Sequence, residues 1–178
     1  MMRKAATLYL SGPSGVGKTE VAEILADRHG YAVLSLGGLC RLAAERRGLP
    51  TDRVTLQRMG DEMRRGDDAR LARDAYMAAL RGPGPVVIEG VRLRAEGGYL
   101  AAQGVIGVRV EAPEAARWAR LLARDGSAQV PQHRTESEVP PHALVLYNGG
   151  GREALVRAVW RMVNRAAVEY AATRQGRW

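Results

Sequence analysis

One stretch of this 178-residue chain restricts its backbone more than any other: Gly12-Pro13-Ser14-Gly15-Val16-Gly17-Lys18-Thr19, which satisfies the pattern G-x-x-x-x-G-K-[ST]. An apolar run at 7–10 precedes it and reads as a buried strand. Residues 18–28 follow it with helical periodicity through Val21, Ala22, Ile24 and Leu25. Glycines let such a loop curl until successive N–H groups point inward, and the start of a helix adds partial positive charge, so the loop is built to cradle phosphate. In that arrangement Lys18 reaches the outer phosphates of a nucleoside triphosphate such as ATP. The Thr19 hydroxyl supplies an oxygen ligand for Mg²⁺. The lysine is informative because it is rare: of 27 Lys and Arg residues only Lys4 and Lys18 are lysine. Each arginine has to be discounted for the same reason in reverse.

The remaining chain alternates strands with helices. Residues 31–36, 86–88, 105–110 and 143–147 read as further strands. Helices are expected at 39–47, from Thr51 or Asp52 to 65, at 69–81, at 113–124 and at 152–172, each bounded by Gly, Pro or a capping residue. The continuous apolar run Val86-Val87-Ile88 is typical of a parallel strand covered on both faces. The polar stretch 125–141 reads as a loop or lid. This order predicts a single α/β domain over 1–178 with a five-stranded, mainly parallel sheet flanked by helices.

Beyond the loop, the order of motifs resembles the nucleoside monophosphate kinase branch of P-loop proteins, over roughly residues 7–163. The segments that carry the likeness are Ser35-Leu36-Gly37-Gly38-Leu39-Cys40-Arg41, Val87-Ile88-Glu89-Gly90-Val91-Arg92 and, more loosely, Leu56 to Arg64. The resemblance implies a three-layer P-loop NTPase fold with a helical acceptor-binding insert at about 37–81 and a short lid at about 117–138. It implies ATP as donor, held by Gly12, Ser14, Gly15, Val16, Gly17, Lys18 and Thr19, with the loop at Asn148 beside the base. Thr19 and Glu89 would hold Mg²⁺, and Arg41, Arg92 and Arg58 would bind the acceptor, a planar guanidinium being suited to two parallel hydrogen bonds with phosphate. Arg117 and Arg120, with Lys18, would neutralise charge as the phosphoryl group moves. The implied reaction is phosphoryl transfer to a nucleoside or deoxynucleoside monophosphate. Dephospho-coenzyme A or another metabolite as acceptor, and an adenylate-kinase-like ATPase or RNA-associated switch, stand as alternatives.

Other features narrow the field. The formal charge of +8 attracts phosphorylated molecules in general and admits nucleic acid as a partner without favouring it, because basic residues are not interleaved with aromatics and the chain has no Phe. Cys40 is the one cysteine and reads as a small apolar packing residue in a reducing compartment. His29, His133 and His142 lack metal-ligand spacing and an accompanying nucleophile. No segment approaches the roughly 18 apolar residues needed to span a bilayer, and the apolar stretch before the loop is too short for a signal-peptide core. A cytoplasmic protein without membrane contact, monomeric or homodimeric, is therefore expected.

Overall fold

The computed structural model describes residues 6–126 and 133–175. Its centre is a sheet of β1 (Leu8–Ser11), β2 (Ala32–Ser35), β3 (Val86–Glu89), β4 (Ile106–Glu111) and β5 (Leu144–Tyr147), in the order β2-β3-β1-β4-β5. Every pairing in the sheet is parallel, which answers to the short apolar runs read from the sequence. Parallel strands need crossovers, and the chain supplies them as α1 (Lys18–His29), α2 (Leu36–Arg46), α3 (Arg53–Arg64), α4 (Arg70–Ala79), α5 (Arg94–Ala102), α6 (Glu114–Asp125) and α7 (Arg134–Ser137), while α8 (Arg152–Gln175) follows the last strand and packs back on the sheet.

Alternation along the strands divides the core into two layers. Leu8 and Leu10 pack with Val87, Val108, Val110 and the inner residues of α1 and α8, including Leu25, Leu155 and Val159. On the other face Tyr9 and Ile88 meet Leu36, Met59, Leu71, Ala75 and Leu100 from α2, α3, α4 and α5. The Tyr9 hydroxyl donates to the carbonyl of Pro141, and burial pushes its pKa up to about 12. Gly107 leaves room for that ring, since a Cβ there would stand 2.5 Å from it.

Three local features differ from the sequence reading. Gly37 and Gly38 do not separate β2 from a later helix. They form the first turn of α2, because Ser35 ends the strand and caps the helix, its Oγ accepting from the Gly38 N–H at 3.0 Å. Helix α5 is not announced by sequence periodicity, for Gly97 and Gly98 lie within it. Within the expected loop at 125–141, residues 134–137 form the short helix α7, while 127–132 lie outside the described residues.

Candidate active site

The site assembles at the carboxyl ends of β1, β2 and β3, where an open parallel sheet leaves a crevice. Register places Leu10 beside Glu89 and Ser35 beside Glu89, so the residues that end these strands are neighbours by construction. From β1 the chain enters the Gly12–Thr19 loop, and α1 begins at Lys18. Gly17 caps that helix at φ 91° and Gly15 adopts φ 81°, both in the left-handed region. Space makes the same demand at Gly15, where a Cβ would stand 2.7 Å from the Arg117 carbonyl oxygen on α6.

Side chains around the loop hold its carbonyls. Asn148, buried after β5, donates from Nδ2 to the Val16 carbonyl at 3.0 Å. Arg117 donates from Nε to the Ser14 carbonyl, and Arg120 from Nη1 to the Gly15 carbonyl, each at 3.2 Å. Lys18 Nζ donates to the carbonyls of Gly12 at 2.7 Å and Pro13 at 2.9 Å. These bonds to the carbonyls hold the loop in shape, and a loop of this kind can turn its N–H groups to an anion. Enclosure lowers the Lys18 pKa to about 7, burial being the larger cause and the nearby Arg92 guanidinium adding to it.

Glu89 ends β3 beside the loop. Its Oε1 accepts from Ser35 Oγ at 2.9 Å, while its Oε2 is buried without a hydrogen-bond partner. A buried carboxylate oxygen left over in this way suits a hard cation or a cation-bound water. On the protein side, the Glu89 carboxylate offers an oxygen of the kind Mg²⁺ takes. No cluster of three or more His, Cys, Asp or Glu side chains suited to a metal occurs among the described residues.

Next to the loop opens a cleft of about 850 Å³, lined by α2, α3 and the β3–α5 turn. Arg41 and Arg92 line it, joined by Arg53, Arg64 and Arg124. Arg58 is exposed on α3 and does not line the cleft; Gln57 and Arg64 do. Six residues separate Arg58 from Arg64 on one helix, which puts them on different faces. Cys40 lies buried in the cleft wall, and burial raises its thiol pKa, consistent with a packing role. Arg117 and Arg120 lie on α6 and bond to the loop, so the expected lid range starts within a helix already docked there.

Sequence reasoning missed the acidic partners. Glu96, fully buried at the start of α5, accepts from Arg64 Nη2 at 2.6 Å and Nε at 3.2 Å through Oε1. Its Oε2 accepts from the backbone N–H of Arg92 at 2.9 Å and of Leu93 at 3.0 Å. Glu136 on α7 accepts from Ser14 Oγ at 3.0 Å and pairs with Arg92. His133, given no role from the sequence, meets Asp61 Oδ2 through Nε2 at 2.9 Å. The side-chain pairs Arg64–Glu96, Asp61–His133 and Ser14–Glu136 are separated by 32 to 122 residues, so no local spacing marks them.

Comparison with known proteins agrees with this architecture. A family model described as AAA domain matches residues 8–140. A cytidylate kinase of Dichelobacter nodosus is 58% identical over 43 residues, 24% of this chain and 18% of that protein. A UPF0200 protein of Pyrobaculum aerophilum is 36% identical over 85 residues, 48% of this chain and 45% of that protein. The chain thus spans less than half the length of either relative. A gluconokinase structure from Sinorhizobium meliloti superposes with a TM-score of 0.62 at 20% identity, covering 96% of this chain and 98% of that one, which is a likeness of fold. No helix among the described residues is long and apolar enough to cross a membrane. With a family match that takes in the phosphate loop, the cleft and α6, the chain belongs to the AAA-domain family, and it has the fold seen in P-loop kinases.

Proposed function

We propose that this protein transfers the terminal phosphoryl group of ATP to a small phosphorylated acceptor bound in the cleft, most simply a nucleoside or deoxynucleoside monophosphate. The observation that carries the reading is the charge of the cleft. Five arginines, Arg41, Arg53, Arg64, Arg92 and Arg124, line it against three acidic residues, Asp52, Glu89 and Glu136. Arg64 is held by Glu96 and Arg92 by Glu136, so these guanidiniums are fixed in the cleft wall, and an anionic acceptor meets such guanidiniums with paired hydrogen bonds. The partial identity with a cytidylate kinase supports a nucleotide as acceptor.

In this reading the work of the protein is positioning and charge neutralisation. Loop N–H groups and Lys18 hold the triphosphate. Arg41 and Arg92 orient the acceptor phosphate, and Arg64 contributes from α3. Arg117 and Arg120 keep the loop in shape through its carbonyls and stand close enough to add positive charge to the phosphates. Thr19 and Glu89 would hold Mg²⁺, which screens the charge on the transferring group.

The direct test supplies ATP and Mg²⁺ with each nucleoside and deoxynucleoside monophosphate, dephospho-coenzyme A and gluconate in turn, follows ADP and identifies the second product. A diphosphate formed from a monophosphate supports the proposal. ADP released at the same rate without any acceptor would make the protein an ATPase, and phosphorylation of gluconate alone would refute an anionic phosphate acceptor.

A further inference from the structure

Glu136 is an acidic side chain that bonds with both the phosphate loop and the acceptor side of the cleft. Its Oε1 accepts from Ser14 Oγ at 3.0 Å and pairs with Arg92 Nη1, which itself lies 3.3 Å from Ser14 Oγ. The Glu136 side chain is 11% exposed, and its charge is felt at Lys18. Its neighbours are anchored as well: His133 contacts Asp61 on α3, and Glu138 Oε2 accepts from the Arg94 N–H at 2.7 Å. Ser14 and Arg92 thus form an anion slot that already holds an anion, one supplied by the chain.

We propose that Glu136 is a specificity-determining residue, a tethered carboxylate that keeps the slot between Ser14 and Arg92 for dianionic phosphate monoesters and against acceptors whose only anionic group is a carboxylate. The inference rests on the reading of Arg92 as a ligand of the acceptor phosphate. A free carboxylate brings one negative charge and two acceptor oxygens, the same chemistry as Glu136, but competes with a group whose effective concentration is set by its tether and reaches the millimolar range. A phosphate monoester brings close to two charges and three acceptor oxygens, and so displaces the tethered group from the arginine. The apparent affinity of any anion is lowered by the fraction of molecules in which Glu136 fills the slot.

The test measures binding rather than turnover, on the full chain with the loop filled by Mg²⁺ and a non-hydrolysable ATP analogue. Inorganic phosphate and acetate are titrated by calorimetry into the wild type, Glu136→Gln, Glu138→Gln, Arg92→Ala and the Glu136→Gln/Arg92→Ala pair. Glu136→Gln should tighten phosphate roughly tenfold, equivalent to about 1.4 kcal/mol, and bring acetate binding into the measurable range. Glu138→Gln removes the same charge from the same segment and should change neither. In the Arg92→Ala background the gain from Glu136→Gln should disappear. An equal gain in that background would mean general repulsion instead of slot occupancy and would overturn the proposal. So would unchanged phosphate affinity, or acetate binding that does not improve. If the binding shifts occur but every acceptor fails to turn over, the slot stands and the proposed reaction falls.

Discussion

Arg64 and Glu96 form an ion pair with 2.6 Å between Nη2 and Oε1, and their side chains are 6% and 0% exposed. The pair joins α3 to the turn that carries Arg92, since the other Glu96 oxygen accepts from the Arg92 backbone N–H. Removing one member of such a pair leaves a charge buried alone, which costs about 3–5 kcal/mol. Glu96→Ala should therefore lower the chemical-denaturation midpoint by that equivalent. Replacing both partners, as Arg64→Met with Glu96→Leu, should restore most of the stability. The acceptor KM should stay raised in the double variant, because an arginine of the cleft is gone; a normal KM would make the pair purely structural.

Lys18 links nucleotide binding to pH. Its pKa of about 7 in the folded protein lies below the ordinary 10.5, chiefly through burial. A bound triphosphate restores the charged form, so above pH 7 binding takes up a proton and affinity should fall by up to about tenfold per pH unit. For folding the sign is opposite. Between pH 7 and 10.5 the unfolded chain binds more protons at this site than the folded one, so this group's penalty on the folded state is relieved as pH rises through that window. Calorimetry of ATP binding at pH 8 in two buffers of different ionisation enthalpy should show proton uptake. Lys18→Met should abolish both the uptake and turnover, and a wild-type protein without uptake would contradict the lowered pKa.

The phosphate loop itself was legible in the sequence because its determinants are local. Strand, loop and helix follow one another, and the loop pattern demands a lysine where the chain has one of only two. The acceptor half depends on contacts the chain makes only when folded. Arg58 and Arg64 are indistinguishable as letters, and the buried Glu96 selects Arg64. Helix α5 was hidden because two glycines interrupt its periodicity, of which Gly97 answers to packing: a Cβ there would stand 2.6 Å from Pro140. Gly37 and Gly38 looked like a break, yet the Ser35 cap makes them the start of a helix. For Glu136, 122 residues away from Ser14, periodicity offers no signal at all.

Glu89 should govern the Mg²⁺ requirement. Its Oε2 is buried and lacks a hydrogen-bond partner, while Oε1 is steadied by Ser35. Glu89→Gln removes the charge at nearly constant shape, so the apparent Mg²⁺ affinity in steady-state turnover should drop by roughly ten- to a hundredfold. Ser35→Ala should produce a smaller loss, since it frees the carboxylate without removing it. An unchanged Mg²⁺ dependence in Glu89→Gln would move the metal site elsewhere.

Arg117 and Arg120 separate two ways an arginine can serve phosphoryl transfer. Both donate to carbonyls of the phosphate loop at 3.2 Å, and Gly15 lies against the Arg117 backbone. If holding the loop is their main contribution, Arg117→Ala and Arg120→Ala should raise the ATP KM and weaken binding of a non-hydrolysable analogue alike, with kcat changed less than KM. If they act chiefly on the charge of the moving phosphoryl group, kcat should fall by orders of magnitude while analogue binding stays near normal. The observed bonds favour the first pattern. Asn148→Ala supplies the reference, because Asn148 holds the adjacent Val16 carbonyl and brings no charge. Its loss leaves a carbonyl unsatisfied at about 1–3 kcal/mol, and the ATP KM should rise with little effect on kcat. Arginine variants that match this profile act on loop shape; those that exceed it in kcat act on charge.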